Sequence, residues 1–135
     1  MTVLDETNYG KLSEERATEL CVEAFSSQGV DPTRTGELSV VLVEPEVIRG
    51  LNLKFRDIDL ATDVLSFEID GPYGEMVGEV VISPASANPE MGIEELVVHG
   101  TLHLCGMDHG DDFEKSEMAR VQEAVMEKVR GPESK

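Results

Sequence analysis

Residues 96–104, Leu-Val-Val-His-Gly-Thr-Leu-His-Leu, place apolar side chains around nearly the whole circumference of any helix they form. Such a helix must be buried on most sides, so the rest of the chain has to be built around it. The same segment carries His99 and His103, and His109 follows closely; the chain has no other histidine. Histidines four apart share one helix face, with Cβ atoms roughly 5–6 Å apart, close enough for both rings to reach one ion. A straight helix would carry position 109 away. Gly106 supplies the break, because glycine accepts the left-handed conformation that ends helices and can turn the chain so that His109 comes back. A lone histidine on an apolar helix is usually a core residue, but three in this spacing point to a metal. Three nitrogens leave one tetrahedral position open, the arrangement of catalytic rather than structural zinc. Zinc is the first choice for imidazole ligands, although nickel, copper or cobalt would also fit the donor set.

A chain of 135 residues suits a single domain, 1–135, with a frayed tail at 131–135. No apolar run approaches a membrane span. The opening Met-Thr-Val-Leu-Asp-Glu-Thr lacks the basic and apolar regions of a secretory signal, so a cytoplasmic location is expected. In that reducing compartment Cys21 and Cys105 are expected as free thiols. Cys21 falls on a helical stripe and reads as core; Cys105 is expected to pack, with metal contact the lesser alternative. The formal net charge of −17 argues against broad electrostatic attraction to nucleic acid. From Asp57 through Glu114 there is no Lys or Arg, so an anionic substrate must draw its cations mostly from Arg49, Lys54 and Arg56, together with the metal.

Punctuation and periodicity predict the elements. A short strand near Val3-Leu4 precedes a helix capped by Ser13, with Glu14 and Glu15 in its first turn and a buried stripe of Ala17, Leu20, Cys21, Ala24 and Phe25 ending at Gly29. Leu38–Val43 reads as a strand. Pro45 opens a second helix expected to turn Val47, Ile48, Leu51 and Phe55 inward. Residues 64–69 and 76–82 flank Gly71-Pro-Tyr-Gly74 as a hairpin. Met118, Val121, Val125 and Val129 mark the inner stripe of a closing helix.

The histidine segment, together with Leu51-Asn-Leu-Lys-Phe-Arg-Asp-Ile-Asp-Leu-Ala-Thr-Asp-Val-Leu-Ser-Phe67 and Gly78-Glu-Val-Val-Ile-Ser83, resembles the YbeY family of bacterial endoribonucleases. The match runs from about Glu37 to His109. Other zincin-like proteins share the histidine pattern, and the two further segments make the resemblance specific. The 84–92 stretch is shorter than is usual for the family, so a helix is expected to be trimmed there. The resemblance implies an α+β zincin-like fold, with a small mixed sheet packed with helices and the metal site on a buried helix and its following turn. It implies one Zn2+ per chain on His99, His103 and His109, and a functionally required arginine at Arg56. It also implies metal-dependent cleavage of single-stranded RNA in maturing the 3′ end of 16S ribosomal RNA and in ribosome quality control. The implied partners are ribosomal RNA, the small subunit and ribosomal proteins, with neither DNA nor membrane among them.

The histidine spacing parallels the zinc-protease segment H-E-x-x-H-x-x-G-x-x-H, but Gly100 stands where the protease has its general-base Glu, which disfavours a peptidase. A glycine there also lets the helix approach a neighbouring strand. For phosphodiester cleavage, a zinc-lowered water pKa serves either a hydroxide nucleophile, with His99 among the catalytic ligands, or deprotonation of the ribose 2′-hydroxyl; the sequence leaves both open. Arg56 would stabilise charge building on phosphorus, with a surface ion pair to Asp57 or Asp59 as the alternative. Asp108 either orients a ligand ring or caps a turn. Asp63 and Ser66 either line the cleft or serve as turn and strand residues. A rival reading is a metal-stabilised ribosome-assembly factor with little nuclease activity, whose acidic face suits basic ribosomal proteins.

Overall fold

Two close approaches fix how the helices lie on the sheet, and both are made by glycine. In the computed structural model, which describes residues 1–10, 12–31, 35–70, 73, 76–87, 91–109 and 112–130, a Cβ on Gly100 would come within 2.5 Å of Val80 Cγ1, and one on Gly78 within 2.8 Å of Leu104 Cδ1. The histidine helix therefore rests directly on the strands beneath it.

The chain runs β1 (Thr2–Asp5), α1 (Glu14–Ser27), β2 (Thr35–Leu42), α2 (Pro45–Arg56), β3 (Val64–Asp70), β4 (Met76–Ile82), α3 (Ile93–Leu104) and α4 (Glu117–Arg130). The sheet order is β1-β2-β4-β3. β1 and β4 pair parallel to β2, whereas β3 pairs antiparallel to β4 with Val64 opposite Ile82 and Ser66 opposite Val80. This is the small mixed sheet of an α+β fold. Alternation along the strands sorts the core: Val40, Leu42, Val80 and Ile82 face α1, α3 and α4, while Val41, Val43, Leu65 and Val81 pack with Ile48 of α2 on the other face. With both faces covered, β2 and β4 read as nearly continuous apolar runs.

Local signals place the helix ends. Ser13 accepts a hydrogen bond from the Arg16 backbone N–H at the start of α1, and Gly29 just beyond it has φ +69°. α3 buries Leu96, Val97, Val98, Leu102 and Leu104 as its composition requires. Its residues touch β3, β4, α1 and α4, so the helix that carries His99 and His103 is a core element. Among the described residues between Ser83 and α3 there is only a single 3-10 turn, Pro84–Ser86. No helix among the described residues is long and apolar enough to cross a membrane.

Two inner faces differ from the sequence expectation. In α2 the buried residues are Ile48 and Asn52, with Leu51 half-buried, whereas Val47 and Phe55 are exposed. Hydrophobicity alone misleads here because Asn52 is buried for its hydrogen bonding. Its Nδ2 donates to the Leu60 carbonyl at 2.9 Å, and its backbone carbonyl accepts from the Ile58 N–H at 3.3 Å. Those bonds pin the chain reversal that follows α2, where Asp57 takes a left-handed conformation, φ 58°. In α4 the buried set is Met118, Gln122, Val125 and Met126; Val121 and Val129 lie at its flank. The turn expected at Gly71-Pro-Tyr-Gly74 falls largely outside the described residues.

Candidate metal centre

α3 ends in a Schellman turn: the Gly106 N–H bonds the His103 carbonyl at 2.9 Å and the Met107 N–H bonds the Leu102 carbonyl at 3.1 Å, with Gly106 at φ +92°. The glycine thus breaks the helix as its position requires. The reversal carries His109 back beside the two helical histidines, so the three rings lie with centroids 4.8–5.4 Å apart. It also swings the Met107 carbonyl to within 2.9 Å of His103 Nδ1. Asp108 Oδ1 accepts from the His109 backbone N–H at 2.8 Å, which is the turn-capping alternative for this residue. Phe113 closes the far side, its ring edge-on to His99 and His109.

Each helical histidine has its second nitrogen fixed from behind. His99 Nδ1 donates to Gln122 Oε1 at 2.9 Å, and His103 Nδ1 donates to the Met107 carbonyl. These bonds set the tautomer and leave both Nε2 atoms with lone pairs aimed into the cluster. The two Nε2 atoms face each other at 3.2 Å. Lone pairs at that separation repel unless a shared proton or a metal ion lies between them. An ion about 2.0–2.1 Å from tetrahedral ligands puts the nitrogens roughly 3.3 Å apart, a spacing His99 and His103 already have. Ligand nitrogens of all three histidines lie within 4.8 Å of one another, so the group could hold a metal.

The electrostatics favour neutral rings at His99 and His103. Burial pushes His99 down to about 4, against an opposing bond to Gln122 and with help from the neighbouring His103 and His109. His103 is lowered as well, chiefly by burial; the nearby Arg56 charge adds to the same direction. A depressed imidazole keeps its lone pair at neutral pH, where a metal needs it.

The histidines form one wall of a cleft of about 970 Å³ that also holds Arg56, Asp63, Ser66, Phe55 and Phe67. Arg56 is exposed at the end of α2. Arg49 holds the Asp59 carboxylate through two bonds of 2.7 and 3.2 Å, and among the described residues Arg56 makes no salt bridge to Asp57 or Asp59. Arg49 is thereby committed, and Lys54 sits with its Nζ 5.3 Å from the Phe55 ring centroid. Ser66 and Asp63 do reach the cleft, and Ser66 Oγ also donates to the Gly100 carbonyl at 2.8 Å. Position 100 faces the sheet, because its Cβ direction meets Val80, Ser66 and Val64. Cys105 lies outside the ligand group, its thiol pushed up to about 11 by burial. Cys21 is buried with its Sγ 3.4 Å from Thr101 Oγ1, and both cysteines are free.

Sequence reasoning missed Gln122, only 5% exposed. Its signal is a polar side chain flanked by the apolar stripe Met118, Val121 and Val125. The Met107 carbonyl carries no sequence signal of its own, since any residue there supplies one.

A family model described as Endoribonuclease YbeY matches residues 2–130. A protein of that name from Rubrobacter xylanophilus is 70% identical over 130 residues, covering 96% of this chain and 95% of the relative. Another from Treponema denticola is 38% identical over 113 residues, covering 72% and 73%. The solution structure of TM1509 from Thermotoga maritima superposes with a TM-score of 0.53 at 28% identity, over 97% of this chain and 90% of that one.

Proposed function

This chain belongs to the Endoribonuclease YbeY family, and from that premise we propose that it is a zinc-dependent endoribonuclease that cleaves single-stranded RNA. The observation that carries the reading is the paired arrangement of His99 and His103, whose lone pairs converge at 3.2 Å beside Arg56 in one open cleft. Zinc suits three neutral imidazoles better than hard cations do. When bound, the zinc supplies Lewis acidity, which polarises a phosphoryl oxygen and brings deprotonation of water or of a ribose hydroxyl into the neutral range.

The chain's own residues do the rest. Gln122 and the Met107 carbonyl hold His99 and His103 in the ligating tautomer. Arg56, which lines the same cleft and is tied to no carboxylate among the described residues, offers a planar fork to two phosphate oxygens. It would place the scissile phosphate against the histidines and stabilise its growing charge. Gly100 stands where a zinc peptidase has its glutamate base, and the two glutamates of α3, Glu94 and Glu95, are not among the residues lining the cleft.

The role in 16S ribosomal RNA 3′-end maturation and ribosome quality control, in the cytosol with the small subunit as partner, rests on family membership. The net charge of −17 favours a second reading, an assembly factor that docks basic ribosomal proteins and cuts little. Incubating the purified zinc-loaded protein with an unstructured RNA and with a perfect duplex tests the choice. Cutting of the first only supports the nuclease; cutting of neither supports the assembly factor.

A further inference from the structure

Phe55 leaves 58% of its surface exposed on the last turn of α2, beside Arg56 and on the wall of the cleft that holds the histidines. The core does not require it, since Ile48 and Asn52 supply the buried side of that helix. Its ring is propped edge-to-face on Phe67 of β3, centroids 5.2 Å apart at 64°, so its orientation is fixed by the sheet. Lys54 Nζ lies over one face of the same ring, 5.3 Å from its centroid, so a base stacking on that face displaces the flexible lysine toward the neighbouring phosphate.

Charge makes such an aromatic useful. A protein of net charge −17 with no Lys or Arg from Asp57 through Glu114 cannot grip a polyanion through many phosphates. With Arg49 held by Asp59, Arg56 and Lys54 are the cations nearest this wall. Stacking of one base on an aromatic face raises affinity on the order of 10-fold or more and is indifferent to net charge. We propose that Phe55 is the platform on which a nucleobase stacks next to the phosphate held by Arg56, and that this contact restricts the cleft to unpaired RNA. A base in a duplex has its faces covered by neighbours and must first be extruded, whereas a single strand offers them freely. The inference rests on the endoribonuclease reading for its substrate.

The test uses the zinc-loaded protein and a 2′-O-methyl oligoadenylate verified to remain intact through the titration, with an abasic oligomer of equal length as control. Phe55→Leu should weaken oligoadenylate binding on the order of 10-fold and leave abasic binding unchanged. Phe55→Trp should keep the affinity. Because the chain has no other tryptophan, the emission of that variant reports the contact directly, and it should be quenched by oligoadenylate but not by the abasic oligomer. Undiminished binding by Phe55→Leu, or unquenched emission at saturation, overturns the platform; if unblocked RNA is still cut, the nuclease reading survives. Phe55-dependent binding without any cutting does the reverse. A wild type that neither binds nor cuts overturns both.

Discussion

Gly100 and Val80 stand so close that a single methyl group cannot be added between them: a Cβ at position 100 would lie 2.5 Å from Val80 Cγ1. Val80 is a buried branched residue at the centre of β4 and has no free end to swing aside. Gly100→Ala gains up to about 1 kcal/mol of helix propensity but overpacks the contact at a cost of about 1–3 kcal/mol. With the full propensity gain, a net destabilisation of up to about 2 kcal/mol is expected in urea unfolding of the metal-free protein. A more stable variant would mean that α3 does not rest on the sheet in this way.

Gln122 sets the tautomer of His99 through a 2.9 Å bond. Gln122→Leu removes the acceptor while keeping similar volume, so zinc affinity should fall about 10- to 100-fold in a chelator competition. Gln122→Glu retains an acceptor and should hold most of the affinity. Equal affinity in wild type and Gln122→Leu would remove the residue from the account.

The depressed pKa of His99 has a definite consequence for stability. In the unfolded chain His99 takes up a proton below about 6.5, but in the folded protein it does so only near 4. The unfolded state therefore binds more protons between those values, and stability falls as pH drops through that window. The contribution is complete above the unfolded pKa and gone below the folded one; His103 acts in the same direction. Urea midpoints of the metal-free protein should fall from about pH 7 to about pH 4 more steeply than those of His99→Ala. Parallel profiles would show that burial does not hold this ring neutral.

Much of this architecture is written locally. Ser13, Gly29 and Pro45 mark helix ends by mechanisms that act within a turn, and the apolar circumference of residues 96–104 dictates a buried α3. The clustering of the three histidines is legible for the same reason, because helix pitch joins His99 to His103 and Gly106 turns the chain toward His109. What escapes is set by distant partners. The order β1-β2-β4-β3 depends on strand pairings that no local pattern encodes. Asn52 is buried to hold the Leu60 carbonyl, and Gln122 is buried to hold a histidine 23 positions earlier. Phe55 is exposed beside the cleft, although its hydrophobicity suggested an inward position.

Arg56 lines the same cleft as the histidines and belongs to no ion pair among the described residues. Arg56→Ala should lower kcat/KM for single-stranded RNA about 100-fold or more, with zinc content and unfolding midpoint unchanged. Arg56→Lys should recover only part of that loss, since a point charge cannot hold two phosphate oxygens as a fork does. Unchanged turnover in Arg56→Ala would eliminate the role.

The most direct measurement titrates zinc into metal-free protein while following bound metal and cleavage of an unstructured RNA together. Cleavage is expected to rise in step with bound zinc, level off at about one ion per chain, and be absent with binding in His99→Ala. RNA cleavage at full rate by metal-free protein, or by His99→Ala, would contradict the account.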